Sequence, residues 1–433
     1  MRSFVVRATG VGISFGAFAL AACVGDQVVP APIVDSGVGT DSSVTVDSGA
    51  DAAVLDSATD VGIDAAPPPC GAPGETCCKA PLAPCGDGLT CTTDTQMCAV
   101  SDAWAIGSYT TYAPNNGGFV NEIVTAHYDG AAWTRGKDVL VDFGLTAYRP
   151  EDIYQVGGQV RAIVTKASSV GGKMLDWNGV SWADCKLGNA CVGPTTSADL
   201  YAVTSVLNNG GLEFWIGGSN AMYRCPTGAS NCTNLAGNIP GGPIGTSQFG
   251  GTTAQDLFYG AGDHVVRFNG TSWSSIVVAD ASTLGDVAKD DMWVGYKQLR
   301  HWDGSAFSNA YLIDGAPAPG YIFSIAGSGS KDVFAVGNDS GTASFAAHWD
   351  GTGWKKTTLP PIAQVRRVWA PSPIEAFIVG RKEPNTNTGV IEHWNGTAWS
   401  VMPSPTITYS GEQQAGSLTW VAVTGRARAR RAP

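Results

Sequence analysis

The sequence predicts an all-β fold assembled from one unit that recurs at intervals of roughly 40 residues, a spacing typical of repeat architectures. Three observations support this prediction. A turn phrase recurs, in which an aromatic residue, Asp or Asn, and Gly are followed three residues later by Trp or Phe. A strand phrase alternates with it, in which an acidic residue is followed two positions later by an aromatic residue and then by Gly. Finally, no helical periodicity of useful length occurs after residue 100.

The turn phrase predicts tight hairpins, because Asp-Gly and Asn-Gly supply the positive φ that a short hairpin turn requires. Its aromatic residues are expected to stack between neighbouring units, where they bury a large area. A degenerate copy of the turn phrase lies near Gly228. The clear copies are Tyr128-Asp129-Gly130 with Trp133, Trp177-Asn178-Gly179 with Trp182, Phe268-Asn269-Gly270 with Trp273, Trp302-Asp303-Gly304 with Phe307, Trp349-Asp350-Gly351 with Trp354, and Trp394-Asn395-Gly396 with Trp399.

The strand phrase predicts the second strand of each unit, since short alternating runs rich in Val and aromatic residues and bounded by Gly are typical of strands. In the unit from 321 to 359, four strands follow one another antiparallel, which is one blade of a β-propeller. We expect the acidic residue of each copy to bond to backbone amides at a strand start. These residues are Asp102, Asp152, Glu213, Asp256, Asp291, Asp332 and Glu375.

The two ends of the repeat region predict a ring that closes on itself. The first unit begins directly at its second strand, at Asp102, and residues 417–424 look like a first strand with nothing after it. One blade shared between both ends would remove the open edge of the sheet. We therefore expect seven blades, with the C-terminal strand paired onto the strand at 102–107. Six or eight blades stay possible, because the unit around 185–235 is irregular and has Cys225 where other units have an aromatic residue.

Four further segments flank the predicted propeller at 99–425. Residues 1–22 combine two Arg with an apolar run too short to span a membrane stably, which is typical of a signal peptide. Residues 23–69 contain eight Asp and no aromatic residue, Lys or Arg, so they predict a disordered tether. Residues 70–98 form a small cysteine-rich segment, and residues 426–433 are a basic tail, most simply a solvated end.

Cysteine usage indicates an oxidising compartment. Of the eleven cysteines, ten remain once Cys23 is set apart, and six of them crowd into a Gly- and Pro-rich segment that needs disulfides to hold a shape. Sequence leaves fifteen pairings of those six open. A metal cluster is disfavoured there, because the segment has neither His nor a Cys-x-x-Cys pair. The disulfide candidates are Cys70, Cys77, Cys78, Cys85, Cys91 and Cys98, together with the close pairs Cys185/Cys191 and Cys225/Cys232.

Charge and motifs disfavour several functional classes. The net charge of −11 comes without a basic patch on the folded part, which argues against binding of nucleic acid. The sequence shows no nucleophile motif, phosphate-binding glycine loop or Ca²⁺ loop, so we expect no catalytic residues, no metal site and no cofactor. One repeat position accepts His, Asp or Arg, and we interpret it as a polar strand site. It holds His127, Asp176, Arg224, Arg267, His301, His348 and His393.

The residues Leu20-Ala21-Ala22-Cys23 resemble a bacterial lipobox. This resemblance implies cleavage before Cys23 and lipidation of its thiol, as in lipoproteins of Gram-negative bacteria. In lipoproteins of enteric type, Asp after the cysteine retains the protein in the inner membrane. Because Val24 stands there, we expect an outer-membrane anchor with the head facing the periplasm or the cell surface. The alternative is an ordinary signal peptide with an incidental Cys.

Across residues 102–424, the paired strand and turn phrases resemble the tectonin-like propellers, and more distantly the kelch repeats. Members of the tectonin family are often carbohydrate-binding lectins, so the resemblance implies a non-catalytic module that binds a glycan or a protein. Two alternatives stay open, since propellers host many functions. One is a structural or assembly component of an envelope complex. The other is a propeller enzyme such as a glycan lyase or hydrolase.

Overall fold

A computed structural model describes residues 74, 77–79, 85, 89–91, 96–113, 118–136, 148–156, 159–166, 171–185, 198–208, 211–226, 231–241, 248–260, 262–288, 290–339, 343–382, 389–405 and 414–425. The predicted signal peptide, tether and basic tail lie outside the described residues. Within these ranges the fold is all-β, with a single 3-10 turn at Ala236–Asn238. None of the described segments forms a helix long and apolar enough to cross a membrane.

The chain forms seven antiparallel blades in a ring, which confirms the predicted seven-bladed β-propeller. In blade 5, single bridges at Phe307 and Tyr311 take the place of the fourth strand. The hairpin β1–β2 (Leu89–Cys91, Cys98–Val100) comes first, followed by β3–β5 of blade 1 (Ala103–Ala113, Gly118–Tyr128, Trp133–Arg135) and β6–β9 of blade 2 (Tyr148–Val156, Gln159–Lys166, Gly172–Trp177, Trp182–Asp184). Next come β10–β13 of blade 3 (Leu200–Asn208, Gly211–Gly218, Ala221–Pro226, Thr233–Asn234), β14–β17 of blade 4 (Phe249–Thr253, Asp256–Gly260, Gly262–Phe268, Trp273–Ala281) and β18–β20 of blade 5 (Thr283–Ala288, Asp291–Gly295, Leu299–Trp302). Last come β21–β24 of blade 6 (Gly320–Gly329, Asp332–Asp339, Ser344–Trp349, Trp354–Thr357), β25–β28 of blade 7 (Gln364–Ser372, Glu375–Arg381, Gly389–Trp394, Trp399–Met402) and β29 (Gln414–Gly425).

The ring closes through its two ends, which confirms the prediction made from the first and last repeats. Strand β29 is the inner strand of blade 1 and pairs antiparallel with β3, so that Trp420 lies opposite Gly107 and Thr424 opposite Trp104. The inner strands contact one another in the order β29, β6, β10, β14, β18, β21 and β25, and β25 contacts β29 again. The last strand of the chain therefore completes both its own blade and the inner wall of the ring.

Aromatic residues hold neighbouring blades together, as the repeat predicts. The aromatic residue of the second strand in one blade packs on the turn aromatics of the next blade: the ring of Trp104 lies 5.3 Å from that of Trp177 and 6.2 Å from that of Trp182. At the closing seam, Phe377 packs in the same way on Tyr128. The corresponding contacts elsewhere join Trp215 to Phe268 and Trp273, Phe258 to Trp302, Trp293 to Trp349 and Trp354, and Phe334 to Trp394 and Trp399.

The seam between blades 2 and 3 is built differently. Arg161 occupies the place of the second-strand aromatic residue, and its guanidinium carbon lies 3.6 Å from the centre of the Phe214 ring. On the blade 3 side, the disulfide Cys225–Cys232 spans the place where other blades have the two turn aromatics. A cation–π contact and a disulfide thus replace the aromatic cluster at this seam. This substitution explains the irregular sequence around 185–235.

One strand assignment from the sequence is wrong. Asp152 was expected to begin the second strand of blade 2, but the structure places it inside β6, the first and innermost strand of that blade. The second strand is β7, at Gln159–Lys166. The run from Asp152 through Tyr154 to Gly157 has the same acid, aromatic and Gly spacing as the strand phrase. Local composition therefore could not distinguish it from a true copy.

The cysteine-rich segment is stapled and lies against the closing seam. The structure pairs Cys77 with Cys91 and Cys85 with Cys98. Three of these sulfur atoms lie within 4.8 Å of one another, but they belong to two disulfides and not to a thiolate cluster. The hairpin β1–β2 packs against blades 7 and 1, since Leu89 contacts the core that also contains Phe377 and Trp420. Cys78 and Cys185 are also disulfide-bonded, whereas Cys70 and Cys191 lie outside the described residues.

Candidate functional site

The turn carboxylates and amides are used within their own turns. Asp129 Oδ1 accepts hydrogen bonds from the backbone N–H groups of Ala131 and Ala132, both at 2.9 Å. The backbone amide of Ala306 and the hydroxyl of Ser305 act on Asp303 in the same way and lower its pKa to about 2. The six turn glycines have φ between 87° and 96°, which confirms the predicted turn chemistry. The recurring Asp and Asn are thus turn-forming groups.

Each blade carries a pair of one acidic and one basic side chain between its second and third strands. In blade 6, His348 Nε2 lies 2.7 Å from Asp332 Oδ1, and the imidazole stacks on Phe334 at a ring-centroid distance of 4.3 Å. In blade 3, Arg224 donates to both oxygens of Glu213, at 2.8 and 2.6 Å. The remaining pairs with the acid at the second strand are His127–Asp102, Arg267–Asp256, His301–Asp291 and His393–Glu375.

Blade 2 reverses the pair. Its cation is Arg161 on the second strand and its acid is Asp176 on the third, with Nε and Oδ1 3.3 Å apart. This reversal explains why one repeat position accepts His, Arg and Asp: the third-strand residue needs only a complementary acidic or basic partner on the second strand of its own blade. The expectation that the strand-start acids bond to backbone amides was therefore incomplete. Six of the seven contact the basic side chain of their own blade, and Glu375 also accepts from the N–H of Val100 at 2.8 Å. Asp152 instead accepts from Arg367 and from the backbone N–H groups of Ile153 and Val203.

The inner strands share an irregularity that neither the strand nor the turn phrase reveals. Their pairing with the second strand skips one residue at equivalent positions in five blades, which is a β-bulge. A bulge re-aims side chains and is frequent next to functional sites. The skipped residues are Glu151, Tyr201, Phe323, Arg366 and Val421.

Residues that follow the bulges build a buried polar network between the inner strands. Arg367 Nη2 donates to Asp152 Oδ1 at 2.9 Å and so joins blade 7 to blade 2. The backbone N–H of Val203 in blade 3 donates to Asp152 Oδ2 at 3.1 Å. Burial raises the pKa of Asp152 to about 6, although Arg367 and two backbone amides act to lower it. The carboxylate is therefore ionised at neutral pH, and Arg367 balances its charge.

The same network extends to blades 4, 5 and 6 through Gln248. When its amide is oriented to suit its neighbours, Gln248 Oε1 accepts from Arg367 Nη1 at 2.8 Å and from Ser324 Oγ at 3.1 Å. Its Nε2 then donates to the carbonyl of Leu284 at 3.1 Å and to the hydroxyl of Thr283. One connected network thus joins the inner regions of six blades.

Next to this network lies a charged cluster, at the end of the ring where the inner strands begin. Arg149 Nε donates to Glu151 Oε1 at 2.5 Å, and the Tyr201 hydroxyl donates to Asp199 Oδ2 at 3.4 Å. We call this charged cluster at the start of the inner strands the channel mouth, and its members are Arg149, Glu151, Asp199, Tyr201, Arg366 and Arg381.

Arg366 is the member of the channel mouth that lies next to the buried network, directly before Arg367. Its side chain is exposed to solvent, and yet the surrounding protein lowers the pKa of its guanidinium. Repulsion from Arg381 adds to this effect, while attraction to Glu151 opposes it. Protein atoms thus shield part of the guanidinium, although the residue as a whole is exposed.

An exposed aromatic residue lies at the same end of the inner strands. Tyr321, the second residue of β21, is 38% exposed, and its ring lies 5.0 Å from that of Tyr296. Lys297 Nζ lies 5.6 Å from the centre of the Tyr321 ring. The groups at this end of the ring therefore supply charge, hydrogen-bonding capacity and one accessible aromatic face.

Sequence reasoning assigned no ligand-binding residue, and the mouth was missed. The one available signal is the pair Arg366-Arg367, because two adjacent arginines interrupt a first strand that is otherwise apolar at Val365 and Val368. The predicted lipidation site Cys23 lies outside the described residues.

Glu392 on β27 is a second departure from the repeat. It is 0% exposed, and neither carboxyl oxygen has a hydrogen-bond partner among the described residues. Blade 6 has Ala347 at the equivalent position, directly before the repeated histidine. Burial raises the pKa of Glu392 from 4.5 to about 8. The folded protein therefore holds this proton more tightly than the unfolded chain between pH 4.5 and 8, and stability should fall as the pH rises through that window.

We expect Glu392→Met to remove this pH dependence. At about 1.4 kcal/mol per pKa unit, the shift of the Glu392 pKa corresponds to a stabilisation of the variant over the parent of up to roughly 5 kcal/mol at pH 9. Urea unfolding at pH 4, 6, 8 and 9 would measure it, and the two proteins should differ least at pH 4. A free-energy difference that stays constant across this range would contradict the assignment.

No protein-family model matches the chain, and no curated protein matches its sequence. Several solved structures resemble its fold. YCF48 from Cyanidioschyzon merolae is 14% identical, with a TM-score of 0.43 over 74% of this chain and 99% of that chain. A variant of the Aleuria aurantia lectin, solved in complex with Fucα1-6GlcNAc, is 12% identical, with a TM-score of 0.39 over 60% of this chain and 97% of that one. The WD40 repeats of RRP9 are 9% identical, with a TM-score of 0.45 over 73% and 97%. Neither a site nor a ligand carries over at this level of similarity.

Proposed function

We propose that this protein is a non-catalytic binding module whose ligand, a glycan or a protein, docks at the channel mouth. The observation that carries this proposal is the layering of the inner strands. Bulge residues such as Glu151 and Arg366 contribute charge to an open mouth, while the next residues, Asp152 and Arg367, close the ring beneath it. A closed ring offers a docking floor and not a passage. The resemblance to tectonin-like propellers supports the same proposal.

A broad glycan array probed with the full-length chain would test this function first, followed by affinity capture from envelope extracts. Binding that is lost when Arg366 is replaced by Gln would support a ligand site at the mouth. A ligand whose binding is unaffected by changes at Arg149, Tyr201 and Arg366 would place the site elsewhere. If neither glycans nor envelope proteins bind, the role of structural component without a mouth ligand would replace the proposal.

We further propose that Cys23 carries the lipid anchor, that residues 23–69 form the tether, and that the head is held at the outer membrane. The lipobox-like sequence and the signal-like N-terminus support this localisation. Cys23→Ser should release the protein from the membrane fraction, because one acylated residue supplies the anchor. Fractionation followed by immunodetection would measure the change. A variant that remains in the membrane fraction would show that the anchor lies elsewhere.

A further inference from the structure

At the channel mouth the acidic side chains have hydrogen-bond partners, whereas the basic side chain of Arg366 has none among the described residues. The two acids have partners: Glu151 accepts from Arg149 at 2.5 Å, and Asp199 accepts from Tyr201 at 3.4 Å and from the backbone N–H of Gly171 at 3.1 Å. Arg366, in contrast, forms no hydrogen bond or ion pair with any described residue. The charged groups that act on its guanidinium are the like charge of Arg381 and the already paired Glu151. The unsatisfied charge of the mouth is therefore positive.

The second arginine also has an unused donor. Arg381 Nε is buried and has no hydrogen-bond partner among the described residues. Arg381 is the cross-strand neighbour of Gln364, which precedes Arg366 by two positions on β25, so the two arginines lie on adjacent strands at the same end of blade 7. Gln364 Oε1 is likewise buried without a partner in the described part of the chain. A buried donor or acceptor left unpaired costs stability, so each of these groups needs a partner, which a bound molecule or an ordered water can supply.

We propose that the channel mouth binds an acidic glycan, with the carboxylate of a uronic-acid residue held between Arg366 and Arg381. Guanidinium groups present planar, forked donors that match the two oxygens of a carboxylate. The free lone pairs of Glu151 and Asp199 then accept hydrogen bonds from sugar hydroxyls on the neighbouring blades. This inference rests on the proposed binding function and specifies the chemistry of its ligand.

A glycan fits the mouth better than an acidic protein segment. The dry centre of a protein–protein interface is usually depleted of charged residues. The described groups of the mouth are instead charged or hydroxyl-bearing. The exposed aromatic face is that of Tyr321, backed by Tyr296, and a flat ring of this kind can stack on a sugar.

The experiment is calorimetric titration of the full-length chain with tetragalacturonate, with neutral galactotetraose as the uncharged probe. We expect saturable binding of tetragalacturonate and at least about tenfold weaker binding of galactotetraose, since a hydrogen bond to a charged group contributes roughly 1.5–3 kcal/mol. Arg366→Gln and Arg381→Gln should each weaken tetragalacturonate binding by about tenfold or more. Lys356→Gln removes the same charge from an exposed site on β24 and should change the affinity less than about twofold. Arg366→Gln should melt at the parent temperature, which separates loss of binding from loss of folding.

Different outcomes separate this inference from the broader function. Absence of tetragalacturonate binding would overturn it, and so would binding that Arg366→Gln leaves unchanged. If the array then showed a neutral glycan, or capture showed a protein bound through the mouth, the binding function would stand and the acidic-glycan inference would fail. Equal weakening by Lys356→Gln would indicate non-specific attraction of a polyanion and would also reject the site.

Discussion

Deletion of residues 414–433 should unfold the ring or destabilise it by more than about 5 kcal/mol, the lower end of the net stability of a typical domain. The deletion removes β29, which pairs with β3 along its length and also contacts β6, β25, β26 and β27. It removes Trp420, a fully buried side chain in the core shared by blades 7 and 1. The inner edge of β3 would then face solvent as an unpaired strand.

The fit of Trp420 strengthens this expectation. A Cβ atom placed on Gly389 would lie 2.3 Å from the Trp420 ring, and one placed on Gly107 would lie 2.8 Å from it, so the ring fills the space that both glycines leave. Thermal unfolding followed by near-ultraviolet circular dichroism would measure the effect. Deletion of 426–433 alone is the matched control, because it leaves β29 intact, and it should melt like the parent. If the longer deletion also melts like the parent, ring closure by β29 is wrong.

The sequence predicted the parts of the fold that depend on local chemistry. The Asx-Gly turns need only positive φ at a glycine such as Gly130 and a side-chain acceptor such as Asp129. Both residues lie within a few positions of each other, so the local sequence is enough to predict the turn. Ring closure was predictable because the repeat itself showed a missing strand at one end and an extra strand at the other. The strand phrase failed at Asp152 because its signal is compositional, and an inner strand reproduced the same composition.

The candidate site was not predictable in the same way. The network around Gln248 draws residues from six blades that are far apart in the chain, so no local pattern marks them as neighbours. The bulges that separate mouth residues from network residues are properties of strand pairing, and the sequence does not encode pairing directly. Arg366 and Arg367 are adjacent in sequence, yet Arg366 is exposed with no hydrogen-bond partner among the described residues, and Arg367 is buried in an ion pair.

This difference between neighbours gives the second large prediction: Arg367→Leu should cost about 3–5 kcal/mol, whereas Arg366→Leu should change stability by less than about 0.5 kcal/mol. Removing Arg367 leaves the Asp152 carboxylate buried with only backbone amides to balance it. It also removes the guanidinium N–H that donates to Gln248 Oε1. Urea unfolding at pH 7.5 would measure both variants, and the paired comparison keeps strand β25 and the chemical change the same.

Two further measurements identify the buried charge as the cause. Because Arg367 lowers the pKa of Asp152, its removal should raise that pKa above 6, so Asp152 should take up a proton under mildly acidic conditions. The destabilisation of Arg367→Leu should therefore shrink between pH 7.5 and pH 5. Asp152→Asn in the same background should recover part of the loss at pH 7.5, since a neutral amide is less costly to bury than a carboxylate. A loss that is independent of pH and not relieved by Asp152→Asn would instead mean that Arg367 stabilises the ring through packing alone.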